Sequence, residues 1–121
     1  MTITVDIRRA YEPSQADEGY RVLVDRLWPR GIAKADLVYD LWCKDLAPSS
    51  DLRQWFGHQV EKWPEFSKRY RAELQTPEQQ GRIHDIISAA KGQRITLIYG
   101  AKDREHNQAV VLAAEIKGPE T

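Results

Sequence analysis

Val22-Leu23-Val24 is an uninterrupted, largely β-branched run at the centre of Tyr20–Leu27, and it constrains the fold more than any other stretch. A strand with one wet face alternates apolar and polar residues. A strand apolar at successive positions is covered on both faces, as in the parallel sheets of α/β proteins. Pro29 and Gly31 end the run. Two more strands are legible. Thr2–Arg9 alternates Ile3, Val5 and Ile7 with Thr2, Thr4 and Asp6, and Arg94–Tyr99 carries Ile95, Leu97 and Ile98 before Gly100. A fourth strand is not evident, and Tyr11–Gly19 reads as a loop.

The remainder reads as helices with their own start and stop signals. Ser49 or Ser50 can cap Leu52–Phe56, with Gly57 as a left-handed stop. Pro64 suits the first turn of a helix bearing Trp63, Phe66, Tyr70 and Leu74. Thr76-Pro77-Glu78-Gln79 has the form of a capping box ahead of Ile83, Ile86, Ile87 and Ala90, with Gly92 as the stop. Asp103 can cap a last helix bearing Ala109, Val110, Leu112, Ala113 and Ile116, ended by Gly118. The expected fold is a small α/β layered domain over residues 1–117. Its sheet is mainly parallel, of three or four strands, with helices on both faces and a frayed tail at 118–121.

Composition narrows the function. Eighteen Lys+Arg balance 18 Asp+Glu among 121 residues, so a protein held mainly by nucleic-acid phosphates or an anionic membrane is not expected. One Cys precludes an intrachain disulfide, and one Cys with three widely spaced His makes no metal motif. No apolar run approaches the roughly 20 residues of a membrane span, and no basic-then-apolar signal segment opens the chain. A cytosolic protein is the expectation. No cofactor class is implied.

Ligands of open parallel sheets sit beyond the carboxyl ends of the strands, and here each such end carries a cation. The first strand exits through Arg8-Arg9, the second through Asp25-Arg26-Leu27-Trp28-Pro29-Arg30, the third through Gly100-Ala101-Lys102-Asp103. If the strands run parallel, Arg9 (or Arg8), Arg26, Arg30 and Lys102 meet on one rim beside a helix N-terminus, an arrangement suited to phosphate or carboxylate. Asp25 is then the candidate base or orienting group, His106 a candidate proton carrier, Trp28 an aromatic wall, and Asp103 a further ligand-side carboxylate. The same charges can instead form a neutral ion-pair network that seals the sheet edge. Cys43 beside Lys44 invites a nucleophile reading, but a lone Cys is more often a small buried apolar residue. His58 after Gly57 is explained by the dipole at a helix end.

The string Arg21-Val22-Leu23-Val24-Asp25-Arg26-Leu27-Trp28-Pro29-Arg30-Gly31 is highly particular. So are Trp42, Lys44, Ala47-Pro48-Ser49, Leu52-Arg53, Trp55-Phe56, Arg69-Tyr70, Tyr99-Gly100-Ala101-Lys102-Asp103 and Asn107. On these residues the chain resembles the YeaO-like bacterial proteins, a family defined only as domain of unknown function 488, from about Ile3 to Leu112. The resemblance implies a small α/β protein of the prokaryotic cytosol and carries over no reaction or ligand. Broader relatives have a Cys-bearing strand exit and a Cys-His-Arg helix start; this chain has Tyr99-Gly100-Ala101 and His106-Asn107-Gln108 there. The leading functional reading is a small-anion pocket, with or without catalysis. A nucleic-acid-associated module is a second reading, and a protein-docking module using Trp28-Pro29 or Trp42–Pro48 is a third.

Overall fold

Strand β4 (Ile95–Tyr99) is buried at all five positions because it lies inside the sheet, between β1 (Val5–Arg9) and β2 (Tyr20–Leu23). A fourth strand, β3 (Leu41–Trp42), flanks β2, giving the order β1-β4-β2-β3 with every pairing parallel. Val5 and Tyr20 both align with Ile95 of β4, so β1, β2 and β4 begin level and leave the sheet along one edge. β3 has two residues, too few to show a period, and escapes a search for alternation. The computed structural model describes residues 3–118; of the tail expected at 118–121, residues 119–121 lie outside the described residues.

Four α-helices follow or separate the strands: α1 (Ser50–Phe56), α2 (Trp63–Glu73), α3 (Pro77–Ala90) and α4 (Gln108–Lys117). Their starts follow local chemistry. Ser49 Oγ accepts from Leu52 N–H at 3.2 Å, and Thr76 Oγ1 accepts from Gln79 N–H at 3.3 Å. The reciprocal half of the Thr76 box is not used, because the Gln79 side chain donates to the Asp45 carbonyl at 2.8 Å. Lys91, in the left-handed conformation, rather than Gly92, ends α3. The last helix starts later than the sequence suggests: its cap is Asn107, whose Oδ1 accepts from Val110 N–H, while Asp103 caps the preceding turn. Both residues are good caps, and the sequence places the two four residues apart with nothing local to choose between them.

Side chains of all four α-helices share one buried cluster with Val5, Val22, Val24, Ile95, Leu97 and Tyr99 of the sheet region. The opposite parity of the strands meets loops instead of helices, which corrects the expectation of helices on both faces. There Leu23 and Ile98 pack with Ala10 and Leu37, against Trp28, Ile32, Tyr39 and Trp42. An uninterrupted apolar run requires cover on both sides and leaves open what supplies it. Beside this cluster the buried Glu18 carboxylate pairs with Arg8 and with Arg21, and its carbonyl accepts from Thr96 Oγ1 at 2.8 Å. Burial pushes the Glu18 carboxyl up, yet hydrogen bonds from Arg21 and Ser14 and the charge of Arg8 hold it below the usual range. No helix among the described residues is long and apolar enough to cross a membrane.

Gly19 brings the loop back to the sheet at φ +73°, and a Cβ there would lie 2.1 Å from the Arg94 carbonyl oxygen. That oxygen accepts the Tyr20 N–H at 2.7 Å, so neither strand has room to retreat. Gly19→Ala is expected to cost roughly 2–4 kcal/mol of unfolding free energy. Gly31→Ala, also at positive φ but with nothing within 4 Å, is expected to cost about 1 kcal/mol. Equal losses in urea unfolding would contradict the close approach.

Candidate functional site

At the edge where the strands end, Asp25 sits just past β2 and Gly100 just past β4. Asp25 Oδ2 accepts the Gly100 N–H at 2.9 Å, and Oδ1 accepts a hydrogen bond from Gln108 Nε2. One carboxylate thus ties two strand exits to the first residue of α4. A Cβ at position 100 would stand 2.7 Å from Asp25 Oδ2, so glycine allows the approach. Burial raises the Asp25 carboxyl to about 6, against the opposing pull of the Gly100 N–H, the Gln108 amide and the Arg53 charge.

In front of this clasp lies a partly enclosed pocket of about 100 Å³. Its polar wall consists of Arg26, Arg53, His58, His106, Asn107 and Gln108, and its apolar wall includes Pro48, Phe56 and Phe66. Each wall has a local cause. Arg26 donates from Nε to the Pro48 carbonyl at 3.2 Å and from Nη2 to the Ala47 carbonyl at 3.3 Å. The segment bearing those carbonyls is held on either side by α2: Tyr70 hydroxyl donates to the Leu46 carbonyl at 2.5 Å, and Glu73 accepts from Ser49 N–H and Oγ at 2.9 and 2.7 Å. Arg26 is left with guanidinium donors that no protein acceptor takes among the described residues, and neither Arg26 nor Arg53 has a carboxylate within salt-bridge distance there. His58 follows Gly57 with both residues in the left-handed region (φ 59° and 53°), a turn that lays its ring 6.2 Å from that of Phe56. His106 is set by Asp103, whose Oδ2 lies 2.9 Å from Nδ1, and its ring meets Trp63 edge-on at 5.2 Å. N–H bonds from Glu105 and His106, with the imidazole, hold the Asp103 carboxyl low.

The structure brings Arg26 and His106 into this pocket and sets Asp25 behind its wall. Lys102 and Asp103 border an adjoining open groove with His58, Gly100 and Ala101. Arg9 lies elsewhere: its Nε donates to the Ala101 carbonyl at 2.8 Å and its guanidinium covers the Tyr11 ring at 4.8 Å. Arg8 points to the other sheet face, toward Glu18. Trp28 packs in the loop-covered cluster, its Nε1 donating to the Ile32 carbonyl at 2.6 Å, and Arg30 is exposed, with its carbonyl accepting from Tyr11. Arg53, His58, Asn107 and Gln108 were not singled out by strand-end reasoning, since α1 and the turn after it approach the rim from the helical layer. Arg53 and Asn107 do stand among the particular residues of the sequence signature, the one signal that marks them.

The raised Asp25 carboxyl fixes a pH dependence. An aspartate unfolded near 3.9 and folded near 6 favours folding fully below pH 4, and that contribution is lost as pH rises through 6. In Asp25→Asn a reversed Gln108 amide can restore the hydrogen bond without charge. The stability of Asp25→Asn relative to the parent protein is expected to improve by roughly 2–3 kcal/mol between pH 4 and pH 7. Urea unfolding at both pH values measures this, and a pH-independent difference would contradict a desolvated carboxyl.

Comparison with known proteins adds a family. Residues 4–119 match the group described as the inactive DUF488-N3 subclade. The chain is similar to the uncharacterised protein YeaO of Escherichia coli K12, 46% identical over 112 residues that make up 92% of this chain and 95% of that protein. It is also similar to the uncharacterised proteins Rv3073c of Mycobacterium tuberculosis and Mb3100c of Mycobacterium bovis, each 45% identical over 92 residues, or 76% of this chain and 70% of theirs. No solved structure matches the chain significantly. With its signature residues spread over the sheet edge, α1 and the start of α4, the chain belongs to the DUF488 family, in its inactive N3 subclade.

Proposed function

We propose that this protein binds a small anion, phosphate- or carboxylate-like, in the pocket between Arg26, Arg53 and the start of α4, and that it does so without catalysis. The observation that carries this reading is a partly enclosed cavity lined by two arginines, with no carboxylate among its lining residues. Guanidinium donors and the positive end of a ten-residue helix both favour anions. The lining also lacks any hydroxyl or thiol nucleophile among the described residues, and Asp25 stands behind the wall with both oxygens engaged. In this reading Asp25 is a positioning residue and His106 a binding one. The subclade's description as inactive supports binding over turnover. The docking alternative finds less support, because the Trp28 and Trp42 indoles donate to Ile32 and Asp25 carbonyls and pack on one another.

Calorimetric titration with sulfate in low-salt buffer tests the proposal, since surface electrostatics are least screened there. Sulfate is expected to bind, and Arg53→Ala, an exposed side chain, to weaken it roughly tenfold while leaving the melting temperature within about 2 °C. Absence of binding at millimolar sulfate, or equal affinity in Arg53→Ala, would sink the reading.

A further inference from the structure

We infer that the ligand is a small organic phosphomonoester whose phosphoryl group occupies the inner pocket and whose organic body lies in the groove outside it; this rests on the anion-binding reading above. The inner pocket, about 100 Å³, is smaller than the roughly 150 Å³ cavity that accommodates a benzene ring. It has room for a tetrahedral oxyanion and none for a ring beside it. Alone it also falls below the roughly 300–1,000 Å³ usual for small-molecule sites.

The adjoining groove changes that. It measures about 410 Å³ and is bordered by His58, Gly100, Ala101, Lys102 and Asp103. His58 and Ala101 border both compartments, so the two adjoin, and in this inference one molecule spans them. The groove surface is largely apolar. Its carboxylate, Asp103, is already engaged by the N–H groups of Glu105 and His106 and by the His106 ring. What remains for a ligand is the imidazole of His58, the Gly100-Ala101 backbone and the exposed Lys102, a surface that takes a flat or apolar body.

Charge selects the head group. A carboxylate is fully recognised by one guanidinium in bidentate fashion, whereas this pocket offers Arg26 and Arg53 together with the α4 amide end. A phosphomonoester carries a charge of about −1.5 to −2 at neutral pH and presents three acceptor oxygens, matching two cationic forks and a helix start.

Calorimetry with inorganic phosphate, phenyl phosphate and benzoate, paired with amide-detected NMR, tests the assignment. Phenyl phosphate is expected to bind at least tenfold more tightly than inorganic phosphate, and benzoate more weakly than phenyl phosphate. Arg53→Ala is expected to weaken both phosphates by a similar factor. Amide signals of Lys102 and Asp103, which border the groove alone, are expected to shift with phenyl phosphate and to stay in place with inorganic phosphate. Equal affinity for the two phosphates, with no shift in the groove, would overturn the two-compartment assignment while leaving an anion pocket intact. Benzoate binding as tightly as phenyl phosphate would overturn the phosphomonoester class. If neither phosphate nor sulfate binds, both this inference and the anion-binding reading fall.

Discussion

The Asp25 carboxylate is the contact on which the arrangement of the strand-end edge depends. It receives the Gly100 N–H with one oxygen and the Gln108 amide with the other, so it joins β2, β4 and α4 at a single point. A carboxylate withdrawn from water is costly unless its oxygens are occupied, and here the protein occupies them with two neutral donors, with the Arg53 charge acting on it without a salt bridge. This leaves the group half-way between acid and anion near pH 6 and keeps Arg53 and Arg26 uncompensated in front of it. An ion-pair seal would have consumed those guanidiniums. The edge keeps its cations available because the half-buried Asp25 carboxylate is turned toward backbone and amide donors.

The opposite sheet face solves a similar problem in the contrary way. Glu18 is buried against Arg8 and Arg21, and its carboxyl is held low. Its contribution to stability is present above its ordinary range and lost as pH falls through its lowered value, while the Asp25 contribution runs the other way. One face uses charge pairing to anchor a loop; the other accepts a desolvated carboxyl to position a helix start. The segment Leu46–Ser49 belongs to the second device, since Tyr70 and Glu73 of α2 hold its two ends and Arg26 donates to the Ala47 and Pro48 carbonyls between them.

Sequence patterns revealed what local chemistry decides. β1, β2 and β4, the Ser49 and Thr76 caps and the Gly57 stop were legible because each is set by residues within a few positions of itself. β3 was not, being too short for a period, and the cover of the second face was not, because apolar continuity asks for burial and is silent on its source. The rule that ligands meet strand ends led to Arg26, Lys102 and His106 and to the clasp residue Asp25. It could not exclude Arg9, Trp28 or Arg30, whose directions depend on Ala101, Ile32 and the loop turn after Pro29. Nor could it supply Arg53 or His58, which arrive from the helical layer.

A desolvated Asp25 carboxyl lies behind the pocket lined by Arg26 and Arg53, the pocket proposed above to take an anion. Carbon-detected NMR titration of that carboxyl, with and without saturating sulfate, tests it most directly. The account predicts a midpoint of about 6 in the free protein and a higher one with sulfate bound, since a nearby anion further disfavours the charged form. A midpoint near 3.9, the ordinary value for an aspartate, unmoved by sulfate, would contradict it.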